Sequence, residues 1–339
     1  MTIRKPATIG DVAKLAGVAI KTVSRVLNDE RYVAADTRLR VEDAVRALDY
    51  RPSLAARSLS AGRSRQIALL CDNPNPHFLY AMQAGARARC RAAGWRLVLQ
   101  PYDRRTDLRA EAVDMLAQLR PDGVVLTPPA SDDAALLTLL SERGVPVVRV
   151  SPADPTGPSS SVRIDNEAAA CAVVSHLLTL GHRRIGFVEG HPAYAASAQR
   201  RAGSRRALLE AGIGWDEALA VSGRFDAASG RAGAATLMAL ARPPTAIFAA
   251  SDDTAAGVLA WAHEHGLSLP GDLSVAGFDR TEVARLVWPP LTSIAQPFEA
   301  MASQAVSLLV EPPDTAEHRL LPFELVVDRS TGPPRAQSG

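Results

Sequence analysis

The residues of this chain with the right chemistry for a site stand at the ends of apolar runs. Asp72-Asn73 and then Phe78 follow one such run, Asp103 the next and Ser151 a third. Asp165 precedes a helical stretch, Arg200 lies in QRRAG, Ser251-Asp252 follow AIFAA, and Asp279 closes SVAGFD. Taken singly, each is as well explained as a turn residue or a helix cap. As a set they recur where the strands of an α/β protein end, which is where such folds bind ligands. The chemistry they offer is hydrogen bonding and charge pairing with a small polar molecule. Catalytic signatures are missing: there is no G-x-G-x-x-G after an apolar run, no G-x-x-x-x-G-K-[ST], no H-E-x-x-H and no G-x-S-x-G. His182, His191, His263 and His265 lack metal-ligand spacing, and Cys71, Cys90 and Cys171 form no C-x-x-C pair. His182, in LGHRRIG, reads as a cap on the carbonyls of the preceding helix, and the cysteines read as buried thiols. No catalytic residue, no metal and no cofactor is expected.

A second chemistry lies in residues 8–28, TIGDVAKLAGVAIKTVSRVLN. Thr8 followed by Asp11 is a capping-box start, Val12, Ala13 and Leu15 form an apolar stripe, and Gly17 suits a helix end. Val23, Val26 and Leu27 resume the helical period. The other face then carries Ile20, Lys21, Thr22, Ser24 and Arg25, side chains that reach base edges and phosphates in a major groove. This is a helix-turn-helix whose second helix is free for DNA. Lys21 and Arg25, with Ile20 against a thymine methyl, are the expected base readers. Thr8, Thr22, Ser24 and Arg51 are the expected phosphate contacts.

These groups need elements to position them. Asp36 to Leu48 repeats an apolar stripe with Leu39, Val41, Ala44, Val45 and Leu48, giving a third helix for the headpiece. Tyr50 to Arg63 places Pro52 and Gly62 at the two ends of a helix too short to be stable alone, a hinge that folds when docked. Strands then alternate with helices. Strands are expected at Ile67–Cys71, Arg96–Leu99, Gly123–Leu126, Val145–Val150, Ile185–Val188, Thr245–Ala249, Leu273–Ala276 and Leu320–Val327. Helices are expected at Phe78–Ala93, Leu108–Leu119, Ala134–Arg143 and near 167–180, 197–211, 228–240 and 253–265. Continuous apolar strands joined by helical crossovers indicate parallel sheets covered on both faces. The fold class is therefore an all-α helix-turn-helix headpiece plus a two-lobed, doubly wound α/β domain with a cleft between the lobes. The expected divisions are 1–51 for the headpiece, 52–63 for the hinge, 64–330 for the two-lobed body and 331–339 for a polar tail.

Composition agrees. At 339 residues, 47% apolar and 22% charged, the chain is of ordinary globular type and long enough for two or three units. The net charge of +2 hides an asymmetry: residues 1–65 hold 13 Lys/Arg against 7 Asp/Glu, and the remainder 25 against 29. A basic head on a mildly acidic body is what a phosphate-facing module looks like. No apolar run is long enough to span a bilayer and no signal-peptide core precedes residue 8, so the expected place is the cytoplasm, without a membrane partner.

Taken together, the chain resembles the LacI/GalR family of transcriptional regulators. The family's headpiece motif D-V-A-x-x-A-G-V-S-x-x-T-V-S-R-V-L-N stands here as DVAKLAGVAIKTVSRVLN, and its hinge Y-x-P-x-x-x-A-R-x-L-x-x-G as YRPSLAARSLSAG. DNPNPHF, Tyr102-Asp103, IDNEAA, LLTLGHRRIGFVEG, RRAG, AASDDTAAG, SVAGFD and PPLTSIAQP carry the likeness from residue 66 to about 327, over an effector domain of periplasmic-binding-protein type. The resemblance implies a homodimer on a near-palindromic double-stranded operator. It also implies hinge contacts through Ala56 and Leu59, with Leu59 wedged into the minor groove. Arg200 matches the arginine that clamps effector hydroxyls, Asp279 the aspartate that accepts from them, and Phe225 or Trp288 a stacking surface. A guanidinium facing a carboxylate suits a polyol, so a carbohydrate effector and a repressor are expected. Three departures stand out: Ala19 replaces the serine before the recognition helix, Ala34-Ala35 replace Ser-Pro, and Ser251 replaces an asparagine. Within the family, a purine-type corepressed regulator and an activator stay open. Outside it, the competing class is a sugar-binding protein with no DNA role, against which the basic headpiece argues.

Overall fold

The computed structural model describes residues 7–27, 30, 32–50, 63–72, 75–102 and 107–335. The chain separates into two units, Met1–Ser64 and Arg65–Gly339. Arg51, Ala56 and Leu59, with the rest of the expected hinge up to residue 62, lie outside the described residues, as do Asn73 and Asp103.

Three helices build the first unit: α1 (Ile9–Ala16), α2 (Ile20–Leu27) and α3 (Ala35–Ala47). The capping box forms as expected: Thr8 Oγ1 accepts from Asp11 N at 3.3 Å, and Asp11 Oδ2 accepts from Thr8 N at 2.8 Å. Gly17 ends α1 at φ 65°, a left-handed conformation that costs glycine nothing. Ala34 precedes α3 with no side-chain cap, as its lack of a hydroxyl requires. Val12, Ala13, Ala16, Val23, Val26, Val41, Ala44 and Tyr50 form the core. Leu15 and Leu39, expected inside, are 56% and 58% exposed. The core of seven alanines and valines and Tyr50 closes without either leucine.

The second unit holds two lobes. In chain order its strands are β1 (Gln66–Cys71), β2 (Arg96–Pro101), β3 (Gly123–Leu126), β4 (Val147–Val150), β5 (Ser160–Arg163), β6 (Ile185–Val188), β7 (Ala220–Val221), β8 (Ala246–Ala249), β9 (Ser274–Asp279), β10 (Thr292–Ala295), β11 (His318–Leu320) and β12 (Glu324–Val326). Its helices are α4 (Pro76–Ala92), α5 (Leu108–Leu119), α6 (Ala134–Glu142), α7 (Asn166–Thr179), α8 (Ala195–Glu210), α9 (Ala227–Met238), α10 (Asp252–Glu264), α11 (Glu282–Leu286) and α12 (Phe298–Val310). One sheet runs β11-β5-β4-β3-β1-β2 and the other β12-β10-β9-β8-β6-β7. All pairings are parallel except β10 with β12. Helices on both faces of buried apolar strands follow from the crossover rule, and the sequence periodicity anticipates most of them.

Strands β5, β7 and β10 and helices α11 and α12 were not expected, and two further stretches differ from expectation. The single strand expected at Leu320–Val327 is two strands: β11 pairs with β5 in the first lobe and β12 with β10 in the second. The chain thus crosses between lobes three times, after β5, after β10 and after β11. Helix α12 returns to the first lobe, packing on α4 and on β3 to β5. Segment Thr331–Arg335, expected in a polar tail, lies against the second lobe. Its Gly332 oxygen accepts from His182 Nε2 at 2.8 Å, and Arg335 pairs with Asp272 at 2.6 Å. His182 is therefore not a helix cap: fully buried, it joins Thr245 (Nδ1 to Oγ1, 2.8 Å), Ser274 and Gly332. Its Nε2–H must face the carbonyl, so Nδ1 accepts from the threonine hydroxyl. Cys90 is buried, while Cys71 and Cys171 are half-buried, and all three are free thiols.

Candidate functional site

The recognition surface on α2 is as its period dictates. Val23 and Val26 point into the core, Ile20, Lys21 and Arg25 are exposed, and Thr22 and Ser24 are half-buried. Thr8 is exposed with its hydroxyl committed to the cap. Arg25 Nε lies 3.6 Å from Glu30 Oε2, an exposed pair of little energetic weight that a phosphate or guanine can displace.

In the body, a cleft of about 60 Å³ lies between the lobes, well below the usual range for small-molecule sites, so the lobes stand nearly closed on it. Phe78 near the start of α4, Pro128 after β3, Ser151 after β4 and Phe298 of α12 line it from the first lobe. Asn166, Tyr194, Ala196, Arg200, Phe225 and Asp279 line it from the second, with Gln296 in a crossing segment. Arg200 stands on α8, turned inward and only 5% exposed. Its Nε donates to Asn166 Oδ1 at 3.2 Å, Nη1 to the Ala250 oxygen, and Nη2 lies 3.6 Å from Asp279 Oδ1. The guanidinium carbon sits 3.7 Å from the centroid of Phe278, a cation–π floor that also excludes water. Asp279 accepts from Gln296 Nε2 at 2.6 Å. Phe78 and Phe298 meet edge to face at 5.0 Å, and Tyr194 and Phe225 do so at 5.6 Å. The ends of the cleft are thus aromatic and its floor carries one cation and one acid.

Burial pushes the Asp279 carboxyl well above the usual carboxylate range, with Arg200 and Gln296 acting in the opposite direction. Burial and then the charge on Asp279 push Asp252 up as well. Two acids share one guanidinium, and the second cannot ionise cheaply beside the first. Ser151, Phe225 and Asp279 have φ of 47°, 63° and 110°. Three non-glycine residues with positive φ in one cleft mark backbone strain at a functional site.

Of the expected ligand residues, Phe78, Ser151, Arg200, Phe225 and Asp279 converge on the cleft. Asp72 does not line it, although its main-chain oxygen accepts from Oη of the lining Tyr194. Four others do not line it either. Asp165 caps α7 by accepting from Ala168 N at 2.8 Å, and Ser251 caps α10 by accepting from Thr254 N at 3.2 Å. Asp252 is fully buried, accepting from Thr281 N at 2.6 Å and from Ser293 Oγ at 2.6 Å, and so ties α10 to the start of α11 and to β10. Trp288 is 66% exposed in the loop after α11, where its carbonyl accepts from His263 Nε2. Tyr194, Gln296 and Phe298 were not anticipated, and Asn166 entered only as the neighbour of Asp165. Asn166 stands beside the expected Asp165, and one helical step separates the cap from the lining. Gln296 and Phe298 lie in a crossing that no periodicity announces.

Comparison with known proteins decides the family. A model of the bacterial regulatory proteins of the lacI family matches residues 8–53, and one of the periplasmic binding protein-like domain matches residues 174–331. The HTH-type transcriptional repressor PurR of Vibrio atlanticus is 34% identical over 332 residues, covering 96% of this chain and 98% of that protein. The chain belongs to the LacI family. This LacI-family member is a DNA-binding transcriptional regulator, and its relatives are regulators rather than enzymes. The HTH-type transcriptional regulator DegA of Bacillus subtilis is 32% identical with the same coverage. Among solved structures, the lac repressor dimer bound to operator and the anti-inducer ONPF superposes with a TM-score of 0.86 at 29% identity, covering 97% of this chain and all of that one. The regulator CelR in complex with cellobiose gives 0.73 at 31% identity, covering 96% and 100%. No helix among the described residues is long and apolar enough to cross a membrane.

Proposed function

We propose that this LacI-family regulator is a homodimeric repressor whose operator affinity is set by a carbohydrate held between its lobes. The observation that carries the effector class is the Arg200–Asp279 pair on the Phe278 floor, with amides at Asn166 and Gln296 beside it. A hydroxyl both donates and accepts, so a polyol satisfies a guanidinium and a carboxylate together. Phe225 offers the ring a stacking face, the role once shared with Trp288. The relative solved with cellobiose supports this class, and the operator-bound lac repressor dimer supports the assembly. The divisions proposed are a headpiece to about residue 51, a hinge at 52–63 and the two-lobed body beyond.

On the DNA side, Lys21, Arg25 and Ile20 read base edges. Thr8, Thr22, Ser24 and Arg51 meet phosphates, and Ala56 and Leu59 enter the minor groove. Arg25→Ala is expected to lose discrimination between a selected operator duplex and random DNA, about 1–3 kcal/mol. A uniform loss on both, read by mobility shift, makes Arg25 a phosphate contact instead. On the effector side, thermal unfolding against cellobiose, glucose, methyl glucoside, hypoxanthine and guanine tests the class. A ligand at 100 times its dissociation constant adds about 2.7 kcal/mol. A carbohydrate alone raising the midpoint is expected; a purine alone doing so overturns the carbohydrate assignment.

A further inference from the structure

Besides the three connecting segments, a hydrogen bond between described residues reaches directly from lobe to lobe. Tyr194 Oη, in the second lobe, donates to the Asp72 main-chain oxygen of the first at 3.2 Å. Tyr194 is 4% exposed and stands immediately before α8, the helix that carries Arg200. Asp72 follows β1 directly and precedes α4, the helix that carries Phe78. The bond therefore joins the roots of the two ligand walls.

The other end of Tyr194 touches the cleft. Its ring lies edge-on to Phe225 at 5.6 Å and 85°, and edge-on to His191 at 5.7 Å. Phe225 is held at φ 63°, and its ring occupies space left by the missing side chain of Gly190, where a Cβ would lie 2.0 Å from Phe225 Cζ. A strained residue pressed into a glycine gap has few positions to move to, and Tyr194 is one of the groups its ring borders. A tyrosine ring is rigid, so a shift at its edge is carried whole to its hydroxyl. At 3.2 Å the bond is already longer than is usual for O–H···O, and a further displacement of a few tenths of an ångström breaks it.

We propose that Tyr194 is a positioning residue that latches the two lobes in the arrangement seen here, and that Phe225 couples this latch to occupancy of the cleft. The coupling half rests on the effector reading above; the latch itself does not. A ligand seated against Phe225 fixes or displaces its ring, Tyr194 follows, and the Asp72 bond is kept or lost. The lobe equilibrium then shifts without any ligand contact to Tyr194 Oη.

The test uses the full-length protein with no ligand added. Spin labels at the exposed positions 141 and 242, one in each lobe, with Cys71, Cys90 and Cys171 replaced by alanine, report the interlobe distance distribution. Tyr194→Phe keeps the ring and its edge contacts and removes only the hydroxyl. It is expected to raise the share of a second interlobe distance about two- to tenfold, the worth of one net hydrogen bond. Phe225→Ala, which leaves the hydroxyl but frees the ring, is expected to do the same to a smaller extent. Unchanged distances in Tyr194→Phe overturn the latch, including the case where only the unfolding midpoint falls, since that is what a merely structural hydroxyl produces. Changed distances in Tyr194→Phe but not in Phe225→Ala overturn the coupling. No sugar enters this experiment, so its failure is separate from failure of the carbohydrate panel.

Discussion

The two lobes share one strand order, each with its first two strands reversed at one edge and a late strand added at the other. Their contributions to the cleft are nevertheless unequal. The second lobe supplies Arg200, Asp279 and Asn166, already bonded to one another and to Ala250. The first supplies Phe78, Phe298 and Pro128, with Ser151 as its one polar side chain among the described lining residues. One fold repeated twice thus yields a gripping wall and an apolar covering wall. A polar network that is pre-bonded within one lobe keeps its geometry while the lobes move. An apolar wall, being non-directional, tolerates several closure angles.

The sharpest way to break this contrast is Arg200→Ala. It leaves Asp279 buried without its cation, which is expected to cost about 3–5 kcal/mol in urea unfolding, and to abolish the sugar-induced rise in midpoint. A surviving rise places the grip elsewhere. Phe78→Ala, on the covering wall, is expected to weaken sugar affinity only about tenfold, roughly 1.4 kcal/mol, by calorimetric titration. An effect as large as that of Arg200→Ala makes the walls equal partners. A third test concerns pH. Asp279 and Asp252 titrate above their unfolded range, so between the ordinary carboxylate range near 4 and the raised values the folded state holds protons that the unfolded chain has lost. Stability then falls as pH rises through that window. Asp279→Asn is expected to flatten the slope in unfolding measured at stepped pH; an unchanged slope removes Asp279 from the account.

The legible part of the molecule was the part where local chemistry and function coincide. The helix-turn-helix could be read because its polar face, its cap at Thr8 and its turn at Gly17 all lie within one short stretch. Arg200 and Asp279 could be read because RRAG and SVAGFD match the family's motifs, and because Asp279 also closes an apolar run. Asp165, Ser251 and Asp252 show the limit of that logic: a polar residue between a strand and a helix is the same signal whether it binds a ligand or caps the helix, and here capping and cross-strand bonding won. Leu15 and Leu39 obeyed the helical period, yet a small core closed without them. Strand β5, SSVR, was too polar to announce itself, and the split of the last strand is set by pairing partners far away in the chain. Tyr194 carried no signal of its own, since its role depends on where Asp72 lies.

The three crossings between lobes have a consequence for synthesis. The three headpiece helices are contiguous and complete by residue 47, whereas the first lobe waits for Phe298–Val310 and His318–Leu320 to gain its covering helix and edge strand. At roughly 5–20 residues per second, the reader of DNA precedes the finished sensor by some tens of seconds. During that interval β5 has an open edge and α4 an uncovered apolar face. The nascent regulator is therefore most exposed to misassembly in its oldest lobe.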